Sequence, residues 1–145
     1  MQENRDGSPF LEEVLVEELG RGRYRLVKSP GLVPGLAAGD EIELTPAGPR
    51  DHTTVQRAGN VAVQFISRHD LDTCATTLTP RIERIGGWLD GRAESLLVFT
   101  VPVAAGFGKI EEVMRQGMEQ FPNSEWMYGN VYDTSDGKTP LNWWK

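Results

Sequence analysis

GNVAVQFISRHDLDTCATTLTPRIERIGGWLDGR, Gly59 to Arg92, changes its hydrophobic period partway along, and that change decides the fold. In its first part Val61, Val63 and Phe65 alternate with Ala62, Gln64 and Ile66, the two-residue period of a β-strand with two distinct faces. From Leu71 the apolar residues Leu71, Cys74, Leu78, Ile82 and Ile85 are spaced 3, 4, 4 and 3 apart, a single helical stripe that Gly86 can end. Pro80 interrupts the stripe, so either the helix axis kinks there or Thr79 caps a second short helix with Pro80 in its first turn. GWLDGR then reads as a further strand.

Working outward toward the C-terminus, SLLVFTVPV is a strand joined to GWLDGR by a tight connection through Ala93 to Ser95. FGKIEEVMRQGMEQ is a second amphipathic helix with Ile110, Val113, Met114, Gly117 and Phe121 on its inner side. Pro122 and Asn123 stop it. EWMYGNVYD returns as a strand with Trp126, Tyr128 and Asn130 on one face and Met127 and Val131 on the other. From Gly59 onward the order is βαββαβ, which predicts a ferredoxin-like sandwich of four antiparallel strands with two helices on one face.

Toward the N-terminus, residues 1–10 are a polar lead without apolar period, and residues 11–57 form a small antiparallel β unit. In that unit EEVLVEEL and RYRLVK flank the turn at Gly20 to Gly22, DEIEL is a short strand, and HTTVQRA is another. Between them SPGLVPGLAAG is an irregular apolar loop expected to plug one end of the sheet. The β unit is the expected cover for the free face of the sandwich formed by residues 58–145. The fold class is therefore α+β.

Composition excludes several functions. A 145-residue chain that is 39% hydrophobic can bury a core unaided. Its formal charge of -6 argues against nucleic acid or an anionic membrane and for a basic partner. No apolar run approaches the ~20 residues of a membrane span, and MQENRDGSPF has no apolar signal core, so a cytoplasmic location is expected. One cysteine and two histidines supply neither a disulfide nor a usual zinc cluster.

Patterns that could carry catalysis do not complete themselves. Gly106, Gly108 and Lys109 suggest a phosphate loop, but Val103 and Ile110 stand where glycine and Ser or Thr are needed, leaving a plain helix start. Cys74 lies on the apolar stripe, where a thiol packs rather than reacts. His52 and His69 have no nucleophile or carboxylate at a recognisable spacing, and Asp70 or Asp72 beside His69 suits a helix start. The adjacent carboxylates Glu111 and Glu112 diverge, as solvated surface does. No enzyme and no cofactor is expected.

LVEELGRGRYRLVKSPGLVPGLAAGDEIEL, RAGNVAVQF, GGWLDGR, LLVFTVPVAAGF and SEWMYGNVYD together resemble a bacterial family, domain of unknown function 4265, from about Glu13 to Trp144. The resemblance implies cytoplasmic bacterial origin and this fold, and the family brings no established activity that could be carried over to these residues. By analogy with small acidic bacterial proteins, the expectation is an immunity-type inhibitor of a basic toxin, with a small-molecule sensor, often dimeric, as the alternative. The partner-binding candidates are Glu13, Glu17, Asp133 and Asp136 for charge, and Trp143 or Trp144 as a desolvated anchor. In an extended tail neighbouring rings point in opposite directions, so one tryptophan should anchor to the domain and the other stay partly exposed.

Overall fold

The computed structural model describes residues 15–31, 35–44, 52–133 and 135–145. Glu13 and the polar lead of residues 1–10 lie outside these residues. Strands β1 (Val16–Gly20), β2 (Arg23–Leu26), β3 (Glu41–Leu44) and β4 (His52–Gln56) form one antiparallel sheet in chain order. The β1–β2 turn carries positive φ at Gly20, Arg21 and Gly22 in succession, a run that glycine on both sides makes accessible. One face of this sheet gathers Tyr24, Leu26 and Ile42 with Leu36 of the following loop into a small apolar cluster. The opposite face is charged: Arg25 bridges Glu17 of β1 at 3.1 Å and Glu41 of β3 at 2.9 Å.

The second sheet has the order β6-β7-β5-β8, built from β5 (Asn60–Ile66), β6 (Trp88–Ala93), β7 (Leu96–Pro102) and β8 (Glu125–Tyr128), with every neighbouring pair antiparallel. Helices α1 (Leu71–Arg84) and α2 (Phe107–Gln120) both bury their apolar sides on one face of it. Val61, Val63 and Phe65 of β5 meet Leu97, Phe99 and Val101 of β7 in this core, beneath Leu78, Ile82, Ile110 and Met114. Cys74 is fully buried among them. The chain is thus an α+β protein with two antiparallel sheets, each with its own apolar cluster.

Asp70 caps α1, its carboxylate accepting from Thr73 N at 3.1 Å and from Thr73 Oγ1 at 2.8 Å. Pro80 neither splits nor ends the helix, which runs through to Arg84. Proline leaves the carbonyl four residues earlier without its donor, and both Thr76 and Pro80 are exposed, so water can take that place. Among the described residues no helix is long and apolar enough to cross a membrane.

The β2–β3 connection, part of the β unit of residues 11–57, lies over the free face of the second sheet. Ser29 N donates to Asp90 Oδ2 at 2.7 Å, and the Ser29 and Thr100 hydroxyls lie 2.6 Å apart. Gln64 Nε2 donates to Gly31 O at 2.7 Å, and Asn60 Nδ2 donates to Ala38 O at 2.9 Å. The reason lies in the residues. This face presents Asn60, Gln64, Asp90 and Thr100, which need hydrogen-bond partners that an apolar sheet face lacks and an irregular backbone supplies. The loop lies across this second sheet, while its Leu36 packs with Leu26 and Ile42 of the first, the sheet that it was expected to plug; its residues 32–34 are outside the described set.

Candidate partner-binding site

The C-terminal region is organised by one buried amide. β8 pairs with β5 through Tyr128↔Val63, and Gly129 N still donates to Ala62 O at 2.8 Å. Beyond that point the side chain of Asn130 replaces the strand: its Oδ1 accepts from Ala62 N and its Nδ2 donates to Asn60 O, both at 2.9 Å. The main chain is released to turn away, so Val131 enters the helix-side core instead of facing away from Trp126 as strict alternation predicts. Tyr132 then bridges Pro140, closing a loop.

Two aspartates build that loop. Asp133 accepts from Ser135 N at 2.8 Å and Ser135 Oγ at 2.7 Å, bonds that hold its carboxyl below the usual carboxylate range. Asp136 accepts from Thr139 Oγ1, Thr139 N and Lys138 N, and is pushed down to about 2. A depressed folded pKa means that this stabilisation is complete above the unfolded value of 3.8 and is lost as the pH falls through about 2. An NMR titration of the Asp136 carboxyl carbon and the Lys138 and Thr139 amides should give a midpoint near that lower value. A midpoint at or above the ordinary one would mean that the turn does not form.

After Pro140 the tail doubles back. Leu141 N donates to Val131 O at 2.8 Å, and Asn142 adopts φ 60°, turning the last residues. This turn overrides the alternation expected of an extended tail. Trp143 and Trp144 are both half-buried and both pack against the helix-side core. Trp143 Nε1 donates to Asn130 O at 2.8 Å, and the Arg57 guanidinium lies 5.8 Å from its ring centre. Trp144 meets Phe107 at 5.1 Å, edge to face. Phe107 in turn meets Tyr128 at 5.5 Å, and Tyr128 meets Trp126 at 5.0 Å and Tyr132 at 6.4 Å. The mostly edge-to-face angles are those that aromatic quadrupoles favour.

In front of this array lies an open groove of about 610 Å³, lined by Glu111 of α2, by Trp126 to Gly129, and by Tyr132, Asp133 and Gly137. Among the described residues no lysine or arginine lines it. The Tyr128 hydroxyl donates to Glu111 Oε2 at 2.8 Å; burial and the adjacent anion push this phenol far above its ordinary range, so it remains a neutral donor. π-faces beside carboxylates favour a cationic group, through charge pairing and cation–π attraction together.

Of the residues singled out in the sequence, Asp133 lies in this groove and Asp136 in the adjoining loop. Trp143 and Trp144 stand behind the lining rather than in it. Glu17 belongs to the first sheet, where Arg25 already pairs with it. Glu111, Trp126, Tyr128 and Tyr132 are among the groove residues that sequence reasoning missed. Only the helical side of Glu111, next to the stripe residue Ile110, hinted that it could reach a strand.

The catalytic candidates are placed structurally. His69 Nε2 lies 2.8 Å from Pro122 O, which can only accept, so that nitrogen carries the proton. Its ring sits 5.7 Å from Phe121. Ser67 and Ser124 bond each other at 2.8 Å and are buried. His52 begins β4 opposite Leu44. Gly106, with φ 90°, is the N-cap of α2. Among the described residues no three His, Cys, Asp or Glu side chains converge to hold a metal ion.

Residues 12–135 match the family described as Domain of unknown function (DUF4265), and the chain belongs to it. A solved structure described as a hypothetical protein from Neisseria gonorrhoeae is similar with a TM-score of 0.65 at 15% identity, over 88% of this chain and 89% of that one. That likeness is one of fold. No curated protein matches the chain.

Proposed function

We propose that this member of the DUF4265 family is a non-enzymatic binding protein whose C-terminal groove captures a basic protein, in the manner of an immunity-type inhibitor that occludes a basic toxin. The observation that carries this reading is the joining of Trp126, Tyr128 and Tyr132 with Glu111 and Asp133 around one open groove that no lysine or arginine lines among the described residues. Aromatic rings supply area at low conformational cost, and the carboxylates select the sign of the guest. The net charge of -6 adds long-range attraction for a cationic partner.

Burial of Cys74 and of the Ser67–Ser124 pair supports a non-catalytic role, since among the described residues no accessible nucleophile stands beside His69. The element order β5, α1, β6, β7, α2, β8 with sheet order β6-β7-β5-β8 supports assigning residues 58–145 to the ferredoxin-like class. A toxin that acts inside the cell would require its inhibitor in the cytoplasm, the location that we propose with this reading.

A small-molecule sensor is the second reading, favoured by the groove volume of about 610 Å³, which falls inside the range of roughly 300–1,000 Å³ usual for such ligands. The two are separated by zero-length carbodiimide coupling of the tagged protein in its native host, which joins its carboxylates to a partner's lysines. A basic partner coupled through Glu111, Asp133 or Asp136 is the expected result. Coupling only through Glu17 and its neighbours, or a small molecule released on denaturation with no coupled protein, would overturn it.

A further inference from the structure

We propose that an extended, basic segment of the partner adds to the second sheet as a strand on the outer edge of β8, with lysine or arginine side chains falling beside Glu111 and Asp133. This rests on the reading of the groove as a seat for a basic protein, and specifies how recognition occurs.

The register shows which backbone groups are open. Gly129 donates to Ala62, so in this antiparallel pair Met127 and Glu125 also direct their N–H and C=O groups toward β5. Trp126 and Tyr128, at the intervening positions, direct theirs away from it. β8 ends the sheet order, and neither residue's outward backbone groups have a partner among the described residues. The groove runs along this same edge. A strand laid there would satisfy the open groups and place alternate side chains on the two faces. On the helix side they would neighbour Trp126 and Tyr128, within reach of Glu111; on the other they would meet Met127, which is 44% exposed. The preferred segment therefore alternates basic and apolar residues.

Charge decides the occupant. A second copy paired through β8 would crowd a second set of the carboxylates Glu111, Glu125 and Asp133 onto the same edge, where residues 124–133 carry no lysine or arginine, and like charges across strands are destabilising. The chain's own first 14 residues carry four carboxylates and one arginine, and are disfavoured for the same reason. A basic segment is the complementary guest.

The test uses the intact protein and a short, end-blocked peptide alternating lysine and valine. Three further peptides serve as controls: one N-methylated on its lysines, one N-methylated on its valines, and one with glutamate for lysine. In a strand the N–H groups of alternate residues point to the same side, so only one N-methylated peptide loses the edge that meets β8. Expected are binding of the parent peptide, roughly tenfold slower amide exchange at Trp126 and Tyr128 in its presence, and roughly tenfold weaker binding of only one methylated peptide. The glutamate peptide should not bind. Equal binding of both methylated peptides without slowed exchange would overturn strand addition while leaving capture of a basic partner intact. Failure of every peptide, with carbodiimide coupling still found at the groove, would do the same; failure of both experiments would remove the parent reading too. Protection of Trp126 and Tyr128 that grows with protein concentration alone would identify a second copy as the occupant and overturn the proposal.

Discussion

Alanine in place of Asp40 is expected to lower folding stability by about 3–5 kcal/mol, the range found when one partner of a buried charged pair is removed. The Asp40 carboxylate is wholly buried. Its Oδ2 accepts from Ala37 N at 3.0 Å and from Arg57 Nη1 at 3.2 Å, and its Oδ1 accepts from Ala58 N at 3.0 Å. The same arginine donates to Gly35 O. One side chain thereby joins the β2–β3 loop to the β4–β5 connection, and the loop is what covers the polar face of the second sheet. Alanine leaves two backbone donors and a largely buried guanidinium without their acceptor.

The pH dependence of this cluster runs opposite to that of Asp136. Burial raises the Asp40 pKa against the opposing pull of the Ala58 and Ala37 amides and of Arg57. For an acid with a raised folded pKa, the native state is favoured when the group is protonated. Its relative contribution is therefore largest below the unfolded value of 3.8 and falls as the pH rises through the folded one. Asp40→Asn keeps an acceptor but cannot ionise, and should flatten that slope. Denaturant melts of the parent protein and both variants between pH 4 and 8, a span on the order of the usual stability optimum, check the point. A loss below about 1 kcal/mol for Asp40→Ala would show that the loop is not held by this carboxylate.

The sequence makes the secondary structure legible and leaves the convergence of distant residues hidden, for a physical reason visible in particular positions. The alternation of Val61, Val63 and Phe65 and the stripe from Leu71 to Ile82 are local consequences of one face meeting a core, and the buried residues are those that the periods mark. Asn130 shows where such reasoning ends. Its amide substitutes for a strand residue against β5, and nothing in EWMYGNVYD distinguishes that use from a turn asparagine. Once the strand stops there, the alternation that placed Val131 outward no longer applies. The cover of the second sheet is a similar case: Asn60, Gln64, Asp90 and Thr100 alternate with core residues, yet their shared need for hydrogen bonds appears only after the strands are ordered side by side. Glu111 and Tyr132 join the groove because α2 and the loop after β8 meet at one edge, a juxtaposition with no local signature.

The tail yields the other large expected effect. Trp143→Ala and Trp144→Ala should each cost about 1.5–2.5 kcal/mol, below the roughly 3–5 kcal/mol of a fully buried aromatic, because both rings are only partly buried. The two rings touch at 5.4 Å, so the double variant should lose about 3–5 kcal/mol with coupling between the sites. Their partners differ, and so should their conservative replacements. Trp143→Phe keeps packing beside Arg57 but deletes the bond to Asn130 O, an expected loss on the order of 1 kcal/mol. Trp144→Phe deletes no hydrogen bond and keeps an edge-to-face partner for Phe107, so its loss should be smaller. Denaturant melts of all five variants measure these differences. Carbodiimide coupling of the folded single variants then separates anchoring from contact. If both alanine variants stay within about 0.5 kcal/mol of the parent while coupling is lost, the tryptophans are partner contacts and the groove's own rings are not the primary seat. Stability losses with coupling retained instead place the two tryptophans behind the site, as the wall against which Phe107 and Tyr128 are held.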